Sequence, residues 1–274
     1  MRAYMHRKSI FHVKLDYARS HGAYLYDANR EIELLDLFGL YASLPLGYNH
    51  PVFAEPEFRQ EIIEAAAVKV PNGEIATEGA DRFAAAFSGH PSMRRFEYSH
   101  FACTGALALE AAIKTACDYR RSRQPRIIAF RHSFHGINAY GPWITDRFGS
   151  VNARLEGFPG PADPHLPNPV LRAGQSSVGP LAESALQKIE DRILQDRDGN
   201  IVAVLVEPIQ CTAGDLVMCP EFLRAVRVLC TQHEIPLIFD EVQTGFGSTG
   251  TMWYFEQLGF EPDIVVFGKK TQTS

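Results

Sequence analysis

Short apolar runs alternating with stretches of helical periodicity constrain this chain more than any other feature. Residues 126–130 (Arg-Ile-Ile-Ala-Phe), 201–206 (Ile-Val-Ala-Val-Leu-Val), 236–240 (Pro-Leu-Ile-Phe-Asp) and 263–267 (Asp-Ile-Val-Val-Phe) are almost uninterrupted aliphatic segments. Such runs read as buried strands. Between them, residues 106–119 place Leu109, Ile113, Ala116 and Cys117 at helical spacing, and residues 220–232 do the same with Phe222, Val226 and Leu229. Pro220 falls in the first turn, where its missing N–H costs nothing. Strands alternating with helices specify βαβ units and an α/β fold with a mainly parallel sheet flanked by helices.

Two further segments bear on organisation. Residues 22–27 and 31–36 form an expected hairpin around Ala28-Asn-Arg30, ahead of 38–51, and belong to a small lobe. The boundary is expected near residue 55, with 1–55 in the small lobe and 56–274 in a large domain. Residues 151–179, rich in Pro and Gly without periodicity, read as an ordered loop over the sheet.

Length and composition narrow the function classes. The 274 residues, 46% of them hydrophobic, suffice for one large α/β domain or two smaller ones. A net charge of -5, from 32 acidic and 27 basic residues spread along the chain, suggests no nucleic-acid surface and no acidic tail. No apolar run reaches the roughly 18 to 20 residues that span a bilayer, and residues 1–14 are polar and basic without an apolar core, so no membrane association and a cytoplasmic location are expected. Five cysteines, with no Cys-x-x-Cys spacing, argue against a disulfide framework or a zinc site and read as reduced packing residues.

The residues able to carry chemistry cluster where strands end. Phe-Ala-Cys-Thr-Gly-Ala (101–106) runs into the helix near Ala106, and a helix N-terminus offers free N–H groups and a dipole to a phosphate. An ordinary strand-to-helix turn has the same composition. Phe134 and His135 follow the 126–130 strand, at the edge where open α/β sheets bind ligands. Phe134 is able to stack on a flat heteroaromatic ring or to fill the core. His132 and His135 stand three apart, but no third ligand lies at a fitting spacing, so no metal site is expected.

The 236–240 strand ends in adjacent carboxylates, Asp240 and Glu241, and one of them faces the ligand edge. A buried carboxylate there needs a cation, such as a protonated pyridine nitrogen. Asp240 is the choice, with helix or turn capping as the competing role for either residue. Val242 shares Asp240's face and is placed to cover one side of a ring, and Gln243 to donate to a phenolate oxygen. Gly-Lys-Lys (268–270) follows the last strand. A desolvated lysine beside another cation forms Schiff bases with carbonyls, although two consecutive lysines are ordinarily a solvated pair.

Together and in this order, the motifs resemble class III (ω-amino acid) aminotransferases of fold type I, which depend on pyridoxal 5'-phosphate (PLP). The resemblance rests on Leu-Asp-Leu-Phe-Gly-Leu-Tyr-Ala-Ser (35–43), Gly-Tyr-Asn-His-Pro (47–51), Ala-Leu-Ala-Leu-Glu-Ala-Ala-Ile-Lys (106–114), Glu-Pro-Ile-Gln (207–210), Ile-Phe-Asp-Glu-Val-Gln-Thr-Gly (238–245) and Phe-Gly-Lys-Lys-Thr-Gln (267–272). These are most similar to L-lysine 6-aminotransferases, with 4-aminobutyrate aminotransferases next. The resemblance implies that Lys269 forms the Schiff base and Asp240 pairs with the pyridine nitrogen. It further implies that Gly105 and Ala106 bind phosphate, that Phe134 stacks on the ring and is followed by His135, and that Val242 and Gln243 hold the cofactor. Glu207 matches an active-site acid. The implied partners are an amino donor and an oxoacid such as 2-oxoglutarate, in a homodimer.

Two departures concern the substrate side. Relatives that bind lysine or 4-aminobutyrate have an arginine where this chain has Ile137, and a glutamate where it has Thr212. An isoleucine cannot make the bidentate pair by which arginine holds a carboxylate. Family members also continue past the Schiff-base lysine into a C-terminal domain, whereas this sequence stops at Ser274. It therefore resembles an amino-terminal portion of such an enzyme. A non-catalytic remnant with the same fold, or another reaction of the scaffold, remain as alternatives.

Overall fold

The computed structural model describes residues 11–67, 75–147, 165–171 and 179–271. They divide into two compact units, one running up to Glu97 and one spanning Tyr98–Thr271.

The first unit opens with an antiparallel sheet, β1 (Leu15–His21), β2 (Tyr24–Asp27) and β3 (Ile32–Leu35), in that order. The β2–β3 pair is the expected hairpin, in register from Tyr24 opposite Leu35 to Asp27 opposite Ile32. Asp27 ends β2 with its side chain buried, and its Oδ1 accepts the N–H groups of Lys14 and Asn29, both at 3.0 Å, which ties the turn. Strand β1 has no counterpart in the sequence reading. Its seven residues, Leu-Asp-Tyr-Ala-Arg-Ser-His, show no apolar alternation and bury only Ser20. Helices α1 (Pro56–Ala67) and α2 (Glu78–Gly89) complete the unit, α2 being capped by Thr77 Oγ1 on Ala80 N at 3.2 Å. Neither helix buries a residue, although Ala80, Phe83, Ala84 and Phe87 of α2 fall at helical spacing. Both belong to the first unit, which runs up to Glu97.

The second unit is the α/β body. Helix α3 (Gly105–Arg120) leads to β4 (Arg126–Ile128), α4 (Gly179–Gln195) to β5 (Ile201–Val206), and α5 (Pro220–Gln232) to β8 (Leu237–Asp240), with β9 (Ile264–Val266) last. A two-stranded ribbon, β6 (Ile209–Gln210) with β7 (Leu216–Val217), sits between β5 and α5. The four long-range strands form one sheet, ordered β4-β5-β8-β9, and every pair is parallel. All six residues of β5 are buried, which explains its unbroken apolar sequence. Leu109, Ile113 and Ala116 of α3 pack on Ile127, Val202, Leu205, Ile238 and Val266 of the sheet. Each such aliphatic side chain contributes roughly 1.5–3 kcal/mol on burial.

Helix α5 buries Phe222, Leu223, Val226, Leu229 and Cys230, one face at helical spacing, and starts at Pro220 as expected. The proline-rich 151–179 segment lies outside the described residues except for 165–171, which bonds along the edge of the unit through Arg131 N to Leu166 O at 2.8 Å. Because the strands are parallel, their carboxyl ends share one edge, and the connections leaving that edge decide what gathers there. No helix among the described residues is long and apolar enough to cross a membrane.

Candidate active site

Every strand of the parallel sheet delivers a polar or ring-bearing residue to this edge. Phe134 and His135 follow β4, Glu207 follows β5, Asp240 closes β8 with Val242 and Gln243 after it, and Gly268 and Lys269 follow β9. Helix α3 aims its N-terminus at the same place, and Gly105 and Ala106 are its first two residues.

Asp240 is the centre of the cluster. It is 7% exposed, its Oδ2 lies 2.8 Å from His135 Nδ1, and its Oδ1 accepts the N–H of Val242 at 3.1 Å. The His135 side chain is fully buried. With the carboxylate ionised, Nδ1 carries the proton and Nε2 becomes an acceptor, and Nε2 has no hydrogen-bond partner among the described residues. The imidazole thus orients the carboxylate.

Glu207 stands one strand away, buried, and its Oε1 accepts the N–H of Phe134 at 2.6 Å. Burial pushes its pKa well above the ordinary carboxylate value and the charge of Asp240 adds to this, while the Phe134 N–H and the Lys269 cation oppose. Lys269 therefore lies within electrostatic reach of this acid. It is half-buried and opens the short turn Lys269–Thr271, with its N–H on the carbonyl of Val242 at 3.3 Å. Its neighbour Lys270 has a pKa lowered to about 8 by burial first, with Lys269 also lowering it and Cys211 opposing. Lys270 Nζ donates to the carbonyl of Gln243 at 2.5 Å.

Three backbones converge tightly beside the amines. A Cβ added to Gly105 would fall 2.8 Å from Val242 Cγ1, and one added to Gly268 would fall 3.1 Å from the Gly105 Cα. Only glycine permits the last strand's exit loop to cross the start of α3 at this range. At that helix end Thr104 Oγ1 accepts the N–H of Leu107 at 3.1 Å. The N–H groups of Gly105 and Ala106 have no partner within the helix.

The adjacent carboxylates separate. Glu241 turns away from the cluster, fully buried, and its carboxylate accepts Tyr254 N at 2.7 Å, Phe255 N at 3.1 Å and Thr244 Oγ1 at 3.0 Å. It has the capping role that the sequence left open for either residue.

The remaining candidates lie on the rim. Ile137 is 70% exposed on the tip of the loop that follows β4. Thr212 lies half-buried in the turn Cys211–Ala213, its carbonyl accepting Arg147 Nε at 2.5 Å and its hydroxyl buried without a partner among the described residues. Among the cysteines, Cys103 is exposed, Cys117 and Cys211 are half-buried, Cys219 and Cys230 are buried, and all are free. Among the described residues no group of His, Cys, Asp and Glu is arranged to hold a metal ion. A cavity of about 420 Å³, lined in part by Tyr119, Arg227, Cys230 and Asp263, opens at the opposite, amino-terminal end of β8 and β9. Its Arg227 is committed to Asp263 at 2.7 Å, and none of the cluster reaches it, so the chemistry is read from the carboxyl edge.

Glu110 was missed from sequence. It reads as one polar position in a helix, yet its Oε1 accepts the N–H groups of Ala139 at 2.6 Å and Tyr140 at 3.0 Å.

The sequence and the fold have counterparts among known proteins. The sequence matches the aminotransferase class-III family over residues 4–274. It is 36% identical to an L-lysine-epsilon aminotransferase of Mycobacterium tuberculosis, over 95% of this chain and 60% of that protein. Identity to a 4-aminobutyrate aminotransferase of Schizosaccharomyces pombe is 31%, over 95% of this chain and 60% of the relative. The fold superposes on the lysine aminotransferase from M. tuberculosis in its internal aldimine form with a TM-score of 0.84 at 36% identity, covering 95% of this chain and 62% of that one. The chain spans about 60% of the length of these curated relatives. With the match running along nearly all of its residues, the chain belongs to the class III aminotransferase family.

Proposed function

We propose that this chain carries the cofactor half of a PLP-dependent aminotransferase, in which Lys269 is the amine that condenses with the cofactor aldehyde. The observation that carries the reading is the convergence at one sheet edge of Lys269, the buried Asp240–His135 pair and the amino end of α3. The donor set fits the group: a carboxylate for a protonated ring nitrogen, unpaired helix N–H groups for a phosphate, an amine for an aldehyde. Gly105 and Gly268 let the Val242 side chain and the exit of the last strand approach the helix end closely.

Bound PLP supplies a ring that accepts the electron pair left when a proton leaves the substrate carbon. Asp240 would pair with the protonated ring nitrogen for that purpose, and His135 aims its carboxylate through the Nδ1 hydrogen bond. Phe134 and Val242 cover the ring, Gln243 donates to its phenolate oxygen, and Gly105 and Ala106 bind the phosphate. Glu207 holds Phe134 in place through its backbone N–H. Lys269 Nζ, when free, would take up the proton of the substrate carbon and hand it back on the product side.

The donor is an amine or amino acid, its reacting amine terminal as in lysine 6-amino transfer, and the acceptor an oxoacid such as 2-oxoglutarate. Ile137 and Thr212 favour a donor whose far end lacks a carboxylate or meets another cation. The family resemblance supports a homodimer, and the unpaired cysteines support work in the cytoplasm. Purified protein mixed with PLP should develop an absorbance band near about 420 nm and move nitrogen from amine donors to 2-oxoglutarate. A band without transfer to any oxoacid would remove transamination and leave cofactor binding.

A further inference from the structure

We propose that Glu110 is a positioning residue that fastens the ring-stacking loop, residues 134–140, to the phosphate-binding helix α3, and so sets the spacing between the two halves of the cofactor cradle. The inference rests on the PLP reading above.

Glu110 lies in the second turn of α3, half-buried, with two backbone donors of the loop on a single carboxylate oxygen. A second contact lies one helical turn earlier. Gly136, at φ +94°, presses on Ala106 so closely that an added Cβ would fall 2.7 Å from the Ala106 Cβ. Ala106 and Glu110 are four residues apart and share one helix face, so loop and helix are joined twice along the same line. The loop's leading end is held independently, by Glu207 on Phe134 N and by Thr145 Oγ1 on His135 N at 2.8 Å. Between the two sets of fastenings only Ile137 and Asn138 are exposed. Glu110 thus holds the substrate-side tip from beneath while touching no reacting atom. Two charge-assisted bonds on one oxygen are also costly to lose, because both amides sit in a half-buried loop.

The test compares the full chain with E110A, E110Q and E110D. PLP affinity is titrated at the absorbance band, the induced circular dichroism of bound PLP reports ring orientation, and hydrogen exchange is followed at the amides of Ala139 and Tyr140. E110A should weaken PLP binding by about tenfold, alter the induced signal and speed exchange at both amides by at least about tenfold. E110Q keeps an acceptor at the same reach and should recover most of the affinity. If E110A fails to fold, E110D, which keeps the charge but falls short of the amides, should show the weakened binding. PLP binding and induced signal unchanged in E110A or E110D would overturn the inference while the cofactor reading stood. Failure of the wild-type chain to bind PLP would overturn both.

Discussion

The end of β8 separates two buried regions that begin one residue apart. On one side Asp240 meets groups that titrate or move: an imidazole at 2.8 Å and, across the same edge, Glu207 and Lys269. On the other side Glu241 is held mainly by fixed backbone donors. Two backbone N–H groups and a hydroxyl fill its carboxylate, and the fully buried Trp253 and Phe255 pack in the same region. Burial is similar in the two places, so burial alone does not mark a working acid. What differs is the nature of the partners. Fixed backbone donors make Glu241 a brace for the turn Tyr254–Gln257, whereas side-chain partners leave Asp240 able to answer to a bound charge.

Substitutions on the two sides should therefore fail differently. Asp240→Ala should cut turnover at least about a hundredfold, the scale of removing one group that stabilises charge developing in the reaction. Steady-state rates with a fixed amine donor measure this, and wild-type rates would erase the distinction. Glu241→Ala should instead destabilise the chain by roughly 3 kcal/mol, since it strands several buried donors at once. Denaturant unfolding gives the number.

The same residue makes a pH prediction. Burial raises the Glu241 pKa to about 7, with backbone bonds from Tyr254 and Phe255 opposing. The folded state thus holds this proton more tightly than the unfolded chain does. Its contribution is full below the ordinary glutamate range and is lost as pH rises through about 7. Wild-type stability should fall over that window more than that of Glu241→Gln, in which nothing titrates at this position.

Smaller effects sharpen the contrast further. Ile137→Arg, on the exposed rim, should lower KM by about tenfold for donors bearing a distal carboxylate and leave simple amines unchanged. An equal change for both kinds of donor would detach Ile137 from the substrate. Thr244→Val deletes one of Glu241's acceptor bonds and should cost only about 1 kcal/mol, with PLP binding unaffected.

Much of the second unit could be read from the chain. Its strands are covered on both faces, so Ile201–Val206 is apolar without interruption, and Pro220 and the spacing of Phe222, Val226 and Leu229 mark α5 to the residue. The first unit was harder to read. Strand β1 buries one serine and has no apolar alternation to mark it, and α1 and α2 bury nothing, so the spacing of Ala80, Phe83, Ala84 and Phe87 in α2 was the one signal there and went unread. At the edge, the motif order places Asp240, Phe134 and Lys269 near one another because parallel strands share an end. Asp240 was chosen from its place at the strand end, but the bracing role of Glu241 could not be read, since it depends on a turn thirteen residues on. Glu110 was equally hidden, because a glutamate on a helix has the same look whether it faces water or a neighbouring loop.

The central claim is that Lys269, and not its neighbour, is the covalent anchor. Lys270 has the amine with its pKa lowered to about 8, but that amine is tied to the Gln243 carbonyl, while Lys269 lies within electrostatic reach of Glu207 on the side of Asp240. Borohydride reduction of the PLP-loaded chain followed by peptide mass mapping decides between them. The account predicts the pyridoxyl label on Lys269 alone; a label on Lys270, or no label on either lysine, would contradict it.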